Sequence, residues 1–203
     1  MANLVAADSK LKLVHYPHPT LRHVSKPLKR VDTELRRVVR EMFDLMYETK
    51  GIGLAANQVD LPYRLFVVNL ESDPRAADQE HVFINPVLSR KKGAVEQEEG
   101  CLSLPGLYCD VRRPETVVLN AYDLSGQEFR AELQGLFARV VQHETDHLDG
   151  MLFIDHLPTT SQLTIKQKLL ELEHQFETQR RRGEIPDDAQ IKSRLAELER
   201  LRT

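Results

Sequence analysis

Hydrophobic residues recur with helical spacing in two parts of the chain. Between Asp32 and Gly51 the apolar positions form one stripe, namely Leu35, Val38, Val39, Met42, Phe43 and Met46. This spacing predicts an amphipathic helix with Asp32 as its N-cap and Gly51 at its end. The segment LFARVVQHETDHLDG returns to the same spacing and predicts a second helix that ends near Gly150.

Short β-branched and aromatic segments occupy the middle of the chain. They read RLFVVNL, HVFINPVL, YCDVRRPETVVLNAYDL and QEFRAELQG, and glycine, proline, asparagine and aspartate separate them. This pattern is typical of strands joined by turns. The segment VHYPHPTLRHVSKPL is interrupted by prolines and predicts an extended lead-in. Strands in the middle with helices around them indicate an α+β fold.

From about residue 160 onward the chain is strongly charged, with leucines at helical spacing. Ile165, Leu169, Leu172 and Phe176 predict a helix over about 161–181 that packs on the rest of the domain. A further helix is predicted after Pro186, with one apolar side formed by Ile191, Leu195, Leu198 and Leu201. That side indicates packing against the same chain or against a second copy.

Composition and charge exclude several classes of protein. The 203 residues have a formal net charge of −3, so no basic field for nucleic acid is implied. No apolar stretch approaches the roughly 18 residues of a membrane helix, and MANLVAADSKLKLVH lacks the apolar core of a signal peptide. Two cysteines, Cys101 and Cys109, are too few for a disulfide framework, so we expect a cytoplasmic protein.

The segment QHETDHLDG, residues 142–150, carries the first candidate for chemistry. His143 and His147 would share one helix face, where both imidazoles can bind one metal ion. Glu144 directly follows the first histidine and could act as general base beside the ion. Eight histidines in 203 residues make this spacing common by chance, so the pattern alone supports a metal site and a coincidence about equally.

Two histidines leave such a site one ligand short, because hydrolytic zinc sites usually have three protein ligands. Glu171 or Glu173 could complete a zincin-type peptidase site downstream. Cys101, in EEGCLSLPG, could instead supply a thiolate for zinc or ferrous iron. A small buried cysteine and a disulfide with Cys109 are the alternative interpretations of Cys101.

The segment GIGLAANQV, residues 51–59, is the second candidate. Its glycines and alanines stabilise neither helix nor strand, but they let the backbone pass close to another group. Gln58 offers an amide donor that could stabilise an oxyanion. A phosphate-binding loop is disfavoured because no Lys-Ser or Lys-Thr follows the glycines. A helix-ending turn with small residues packed under a sheet remains an alternative.

In chain order, GIGLAANQ (51–58), EGCLS (99–103) and QHETDHLDG (142–150) resemble the three motifs of the peptide deformylase family. YPHPTLRHVSKPL and FINPVLS extend the similarity over most of residues 12–160. The resemblance implies a catalytic domain over 1–160, in which mixed, mainly antiparallel strands surround a central metal-binding helix. Residues 161–203 would form a C-terminal helical extension, similar in its first part to the bacterial type-1 branch.

The resemblance also implies a role for individual residues in catalysis. One divalent metal ion would be bound by Cys101, His143 and His147. Iron(II) is the ion expected from the family, and zinc, nickel or cobalt suit the same ligands. Glu144 would act as general base and then as general acid. Gln58 and the backbone N–H of Leu102 would stabilise the oxyanion.

The implied substrate is the N-formyl-methionyl end of a newly made polypeptide, from which formate is released. Its backbone would dock along Gly51, Ile52 and Gly53, with Gly53 also close to the reacting atoms. Ile52, Val140 and His143 would line the pocket for the methionine side chain. Ribosome association is a further expectation, no contact with nucleic acid or membrane is expected, and monomer and homodimer both remain open.

Two neighbouring residues have secondary roles. Glu99 would either pair with Arg112 or Arg113, and so brace the strand that carries Cys101, or be a solvated charge. Tyr108 lies where some relatives carry a basic residue at the substrate cleft. A non-enzymatic family member with a decayed site is the remaining alternative, and the presence of all the implied catalytic and metal-binding residues argues against it.

Overall fold

The computed structural model describes residues 10–203. Residues 1–9, which belong to the predicted catalytic domain and to the segment tested for a signal peptide, lie outside that range. The lead-in that follows is largely extended, as its prolines predict, and contains one short 3-10 helix at Pro19–Arg22. No helix within residues 10–203 has the length and apolar character needed to cross a bilayer.

Helix α1 covers Thr33–Glu48 and confirms the first helical prediction. The side chain of Asp32 caps it, because Oδ1 accepts a hydrogen bond from the N–H of Leu35 at 2.9 Å. The predicted apolar stripe is buried along its whole length. The chain then turns at Lys50, whose φ is 56°, and the N–H of Gly51 donates to the carbonyl of Met46 at 2.8 Å.

A five-stranded antiparallel sheet lies behind α1. In chain order its members are β1 (Gly53–Ala55), β2 (Leu65–Val68), β3 (His81–Lys92), β6 (Thr116–Tyr122) and β7 (Glu128–Gln134). Their order across the sheet is β1-β2-β3-β6-β7, and each neighbouring pair is antiparallel. Strand β1 corrects the expectation that GIGLAANQV suits no strand, because pairing with β2 offsets the low strand propensity of its small residues.

The remaining two strands form a separate hairpin. Strand β4 (Val95–Gly100) pairs with β5 (Tyr108–Arg113), and neither is bonded to the larger sheet. Gly100 lies opposite Tyr108, and a Cβ atom on this glycine would come within 2.5 Å of the tyrosine ring. A glycine is therefore required directly before Cys101, where the hairpin strand ends.

Helix α2 (Gly135–Leu148) confirms the second helical prediction and packs on the opposite face of the sheet from α1. Strand β2 is apolar at every position because both of its faces are covered by helices. Leu65 and Val67 pack in the cluster with α1, whereas Phe66 and Val68 pack with α2. Gly150 follows the end of α2 with a φ of 71°, as expected of a helix-ending glycine.

Two helices complete the chain, α3 (Thr159–Arg181) and α4 (Asp188–Arg202). Helix α4 folds back on its own chain, and its Leu198 joins the core that contains α1. Leu201 was expected on the apolar side of α4, but this side chain is 41% exposed. Glu199 and Arg202 are buried there instead, because both find charged partners on the lead-in and on α1. The α+β prediction is thus confirmed, with helices on both faces of an antiparallel sheet.

Candidate active site

Three potential metal ligands converge at the point where β4 ends beside α2. Ligand atoms of Cys101, His143 and His147 all lie within 4.8 Å of one another. The Cys101 Sγ atom is 3.4 Å from Nε2 of His147. The two imidazole rings have centroids 5.0 Å apart and are nearly perpendicular, as their positions on one turn of α2 require. Tertiary structure therefore brings the upstream cysteine to the two histidines.

A carboxylate behind the ligand cluster sets the orientation of one histidine. Nδ1 of His143 lies 3.1 Å from Oε2 of Glu99, which leaves Nε2 for an ion. Nδ1 of His147 is buried and has no hydrogen-bond partner within the described chain. Burial lowers the pKa of His147 well below its usual range and so favours the neutral imidazole that binds metals.

The donor set itself fits one metal ion. The cysteine sulfur and the two imidazoles would form a three-ligand site of the kind that catalytic zinc enzymes use. Burial opposes the charge on His143, but hydrogen bonds with Cys101 and Glu99 raise its pKa to about 10. A metal ion bound by His143 would displace a proton from this imidazole, because metal ligands must be deprotonated.

Glu144 lies beside this cluster and is 4% exposed. Its Oε1 atom packs so closely on β1 that a Cβ atom on Gly53 would lie 2.5 Å away. Its Oε2 atom is buried and has no hydrogen-bond partner among residues 10–203. Burial raises the pKa of Glu144 to about 7, a value at which the carboxyl can gain or lose a proton near neutral pH.

Gln58 presents its amide nitrogen to the cluster. Its Oε1 atom accepts a hydrogen bond from the N–H of Ala55 at 2.8 Å, which fixes the orientation of the amide. Nε2 then lies 3.5 Å from Sγ of Cys101 and 3.4 Å from Oγ of Ser103. The small residues before Gln58 allow this short segment to pass close to the ligand cluster.

A cleft of about 520 Å³ opens onto these groups. Eleven of the residues singled out from the sequence line it, namely Gly51, Ile52, Gly53, Gln58, Glu99, Cys101, Leu102, Tyr108, Val140, His143 and Glu144. His147 lies behind them and contributes to the ligand cluster without lining the cleft. Leu136, Arg139 and Pro105 also line the cleft and were not predicted. Leu136 and Arg139 lie on the predicted helix α2, upstream of His143. This position was the sequence signal that could have identified them as residues of the cleft.

Glu99 is the centre of a buried charge network. Arg113 donates to both carboxylate oxygens, through Nε at 2.6 Å and Nη2 at 2.9 Å, and so confirms one of the two suggested pairings. Arg112 is exposed on the other face of β5 and makes no such contact. Burial opposes the charge of Glu99, but hydrogen bonds from His143 and Arg113 lower its pKa to about 2. The carboxylate that orients His143 therefore stays ionised.

The alternative third ligands lie elsewhere. Glu173 accepts a hydrogen bond from the hydroxyl of Tyr16 at 3.0 Å, and Glu171 pairs with Lys168 on the surface of α3. The disulfide alternative is also wrong, since Cys101 and Cys109 are both free. The zincin-type hypothesis therefore has no ligand to complete it in the described chain.

A cysteine and two histidines of one helix turn lie together with a buried carboxyl and a side-chain amide. Such a group of side chains is typical of a mononuclear metallohydrolase centre. The family model described as Polypeptide deformylase matches residues 10–162. The chain belongs to this family.

Individual relatives support the same assignment. A peptide deformylase of Rhodopirellula baltica is 47% identical over 193 residues, which are 95% of this chain and 96% of the relative. A crystal structure of a plant peptide deformylase has a TM-score of 0.82 at 39% identity, covering 89% of this chain and 97% of that one. The enzyme from Plasmodium falciparum has a TM-score of 0.80 at 41% identity, covering 82% of this chain and 98% of the other.

The function follows from the family and agrees with the site. The protein is a metal-dependent hydrolase that removes the N-formyl group from newly made polypeptides. The residues that gather around the cleft include the cysteine and both histidines needed for a single metal ion.

Proposed function

We propose that Cys101, His143 and His147 are the protein ligands of the metal ion. The convergence of one sulfur and two imidazole donors within 4.8 Å carries this proposal. We further propose iron(II) as the ion, as the family resemblance implies, although the same three ligands also suit zinc, nickel and cobalt. Metal analysis of the purified protein, combined with a formate-release assay on a formyl-methionyl peptide, tests metal and activity together.

Glu144 would be the group that moves protons. When bound, the ion supplies Lewis acidity, which lowers the pKa of a coordinated water and polarises the formyl carbonyl. Glu144 accepts a proton from the attacking water and then gives it to the amine nitrogen as the formyl C–N bond breaks. A carboxyl with a pKa near 7 is suited to both transfers. Formate and the free amino terminus are the products.

Gln58 and Leu102 would stabilise the negative charge that develops on the formyl oxygen. Nε2 of Gln58 faces the ligand cluster, and Leu102 follows Cys101 directly at the wall of the cleft. One such donor is worth on the order of 3 kcal/mol in the transition state. The bond between Gln58 Oε1 and Ala55 N–H keeps the amide from rotating its oxygen toward this charge.

The substrate backbone would lie along Gly51, Ile52 and Gly53. Strand β1 is at the edge of the five-stranded sheet, so its outer side can accept an added strand. Ile52 and Val140, with Leu136 beside them, offer apolar contacts for the methionine side chain. His143 also lines the cleft and would contribute to this pocket.

The second part of the proposal concerns assembly and location. We propose a monomer or a homodimer, and the burial of Ile191, Leu195 and Leu198 of α4 against its own chain favours the monomer. Residues 161–203 are then an extension packed on the catalytic domain, residues 1–160. A cytoplasmic enzyme that meets formylated chains at the ribosome fits the two free thiols and the substrate.

A further inference from the structure

Arg139 lies on the same face of α2 as the two histidines and four residues before His143. Its side chain lines the cleft, yet the residue is only 5% exposed. Burying the charge of an arginine without hydrogen-bond partners would cost much free energy of folding. The partners of Arg139 therefore indicate its role.

All the acceptors of Arg139 belong to the β4–β5 hairpin. Nη2 donates to the carbonyl of Val95 at 2.9 Å, and Nε donates to Oε1 of Gln97 at 3.1 Å. Nη1 donates to Oε1 of Glu99 at 2.5 Å and to the carbonyl of Val111 at 3.0 Å. One guanidinium group on α2 therefore holds both strands of the hairpin.

The hairpin needs such a connection. It is not hydrogen-bonded to the five-stranded sheet, and an isolated two-stranded hairpin is marginally stable at best. Yet it carries Cys101 at the end of β4, and Glu99, which contacts Nδ1 of His143, lies two residues earlier. Contacts between the hairpin and α2 therefore contribute to the distance between the cysteine and the histidines.

We propose that Arg139 is a positioning residue of the metal centre, which fixes the hairpin, and with it Cys101, against the histidines of α2. This inference rests on the ligand roles proposed above. Arg113 makes the reciprocal contact, since it lies on the hairpin and donates to Asp146 of α2 at 2.8 Å. Arginine suits the role of residue 139 because its planar group offers five donors in a fixed geometry, whereas lysine is a single point charge.

The test compares Arg139→Lys and Arg139→Met with the wild type and with Arg112→Met. Arg112 lies on β5 next to Arg113, but it is exposed and outside the cleft, so it is a matched control. The cobalt-substituted proteins are examined for the thiolate-to-cobalt charge-transfer band and for the rate of metal loss to a chelator. Amide exchange in β4 and β5 is measured on the metal-free proteins, and kcat and KM are measured on a formyl-methionyl peptide.

Both variants of Arg139 should shift or weaken the charge-transfer band and lose metal about 10–100-fold faster, as expected when a support of the ligands is removed. Exchange in the hairpin should rise, kcat should fall, and KM should change much less. Arg112→Met should behave as the wild type. If Arg139→Met does not fold, Gln97→Leu removes one contact at the exposed side of β4 and should produce smaller changes in the same direction.

An unchanged band and an unchanged rate of metal loss in Arg139→Lys, with only the melting temperature lowered, would overturn the proposal and leave a structural role. A wild-type protein that binds cobalt without any thiolate band would instead overturn the ligand role of Cys101, and the inference with it. The two failures are therefore distinguishable.

Discussion

Gly53 and Glu144 touch across the boundary between β1 and α2, and this contact leaves no room for a Cβ atom. An added Cβ atom on Gly53 would lie 2.5 Å from Oε1 of Glu144 and 3.0 Å from Cγ1 of Val140. The backbone of Gly53 does not adopt a left-handed φ. Glycine is therefore required at this position because of the close neighbouring atoms, and not because of the backbone conformation.

Gly53→Ala should therefore reduce turnover without removing the metal. The methyl group would push the carboxyl of Glu144 out of position, and a displacement of about 1 Å can cost about 100-fold in rate. The measurements are kcat for formate release and the metal content of the same sample. Wild-type turnover in this variant would show that the carboxyl does not need the position seen here.

Glu144→Gln should keep its metal and lose about 10²–10⁴-fold in kcat, because a neutral amide cannot carry the proton from water to the amine. The matched control is Glu128→Gln, an exposed glutamate of β7 that is remote from the cleft. Formate release by Glu144→Gln within a few-fold of the control would remove Glu144 as general base.

Cys101→Ser should bind metal more weakly, because a hydroxyl replaces the thiolate ligand. Cys109→Ser provides the control, since Cys109 is also a free, partly buried cysteine of this region but lies outside the ligand cluster. Titration of both metal-free variants with cobalt, followed by absorption spectroscopy, gives the affinity and the charge-transfer band. Equal bands in the two variants would exclude Cys101 as a ligand.

Arg202→Met should destabilise the protein while leaving turnover unchanged. The side chain of Arg202 is 4% exposed, and it bonds Asp32 at 3.0 Å and Glu34 at 2.6 Å near the start of α1. Both carboxylates remain partly accessible to water, so we expect a loss of about 1–3 kcal/mol in the free energy of unfolding. Urea denaturation measures it, and Arg200→Met on the exposed side of α4 should show no loss. Equal stability of the two variants would contradict this anchoring role.

The ion pair between Arg202 of α4 and Asp32 should also weaken in acid. Burial opposes the charge of Asp32, but hydrogen bonds from Leu35 N–H and Arg202 lower its pKa below the usual range. A lowered folded-state pKa stabilises the protein above the unfolded-state pKa of about 4, and this contribution is lost as pH falls through the folded-state value.

Asp32→Asn keeps the helix cap but removes the charge, so it isolates this contribution. The stability difference between wild type and Asp32→Asn, from urea denaturation at pH 7 and at pH 3, should shrink at the lower pH. A difference that stays constant between the two pH values would show that the ionised form of Asp32 makes no such contribution.

Much of the site could be predicted because its signals are local. The spacing of His143 and His147 follows from the helical period, and Val140 and Val141 already indicated a helix packed in the core. The cap at Asp32 and the helix-ending Gly150 are likewise properties of a few adjacent residues. Cys101 was one of several candidates on the residues alone, and the order of three motifs selected it through the family resemblance.

Other features depend on which distant segments meet. Arg139 reads in the sequence as one polar position on a helix, and only the docking of the hairpin makes it a buried centre of four hydrogen bonds. The same holds for α4, where the apolar period favoured Leu201. The structure buries Arg202 instead, because Asp32 and Glu34 lie 170 and 168 residues away along the chain but adjacent in space.

By itself, the sequence determined the helices, most strands, the paired histidines with their glutamate, and the family to which they belong. Tertiary structure decided which carboxylates and guanidinium groups hold those residues in place, and where the last helix packs. The physical reason is that helical and strand periods are set by neighbours a few residues apart. Buried ion pairs instead need partners that converge only after the sheet, the hairpin and both flanking helices have packed.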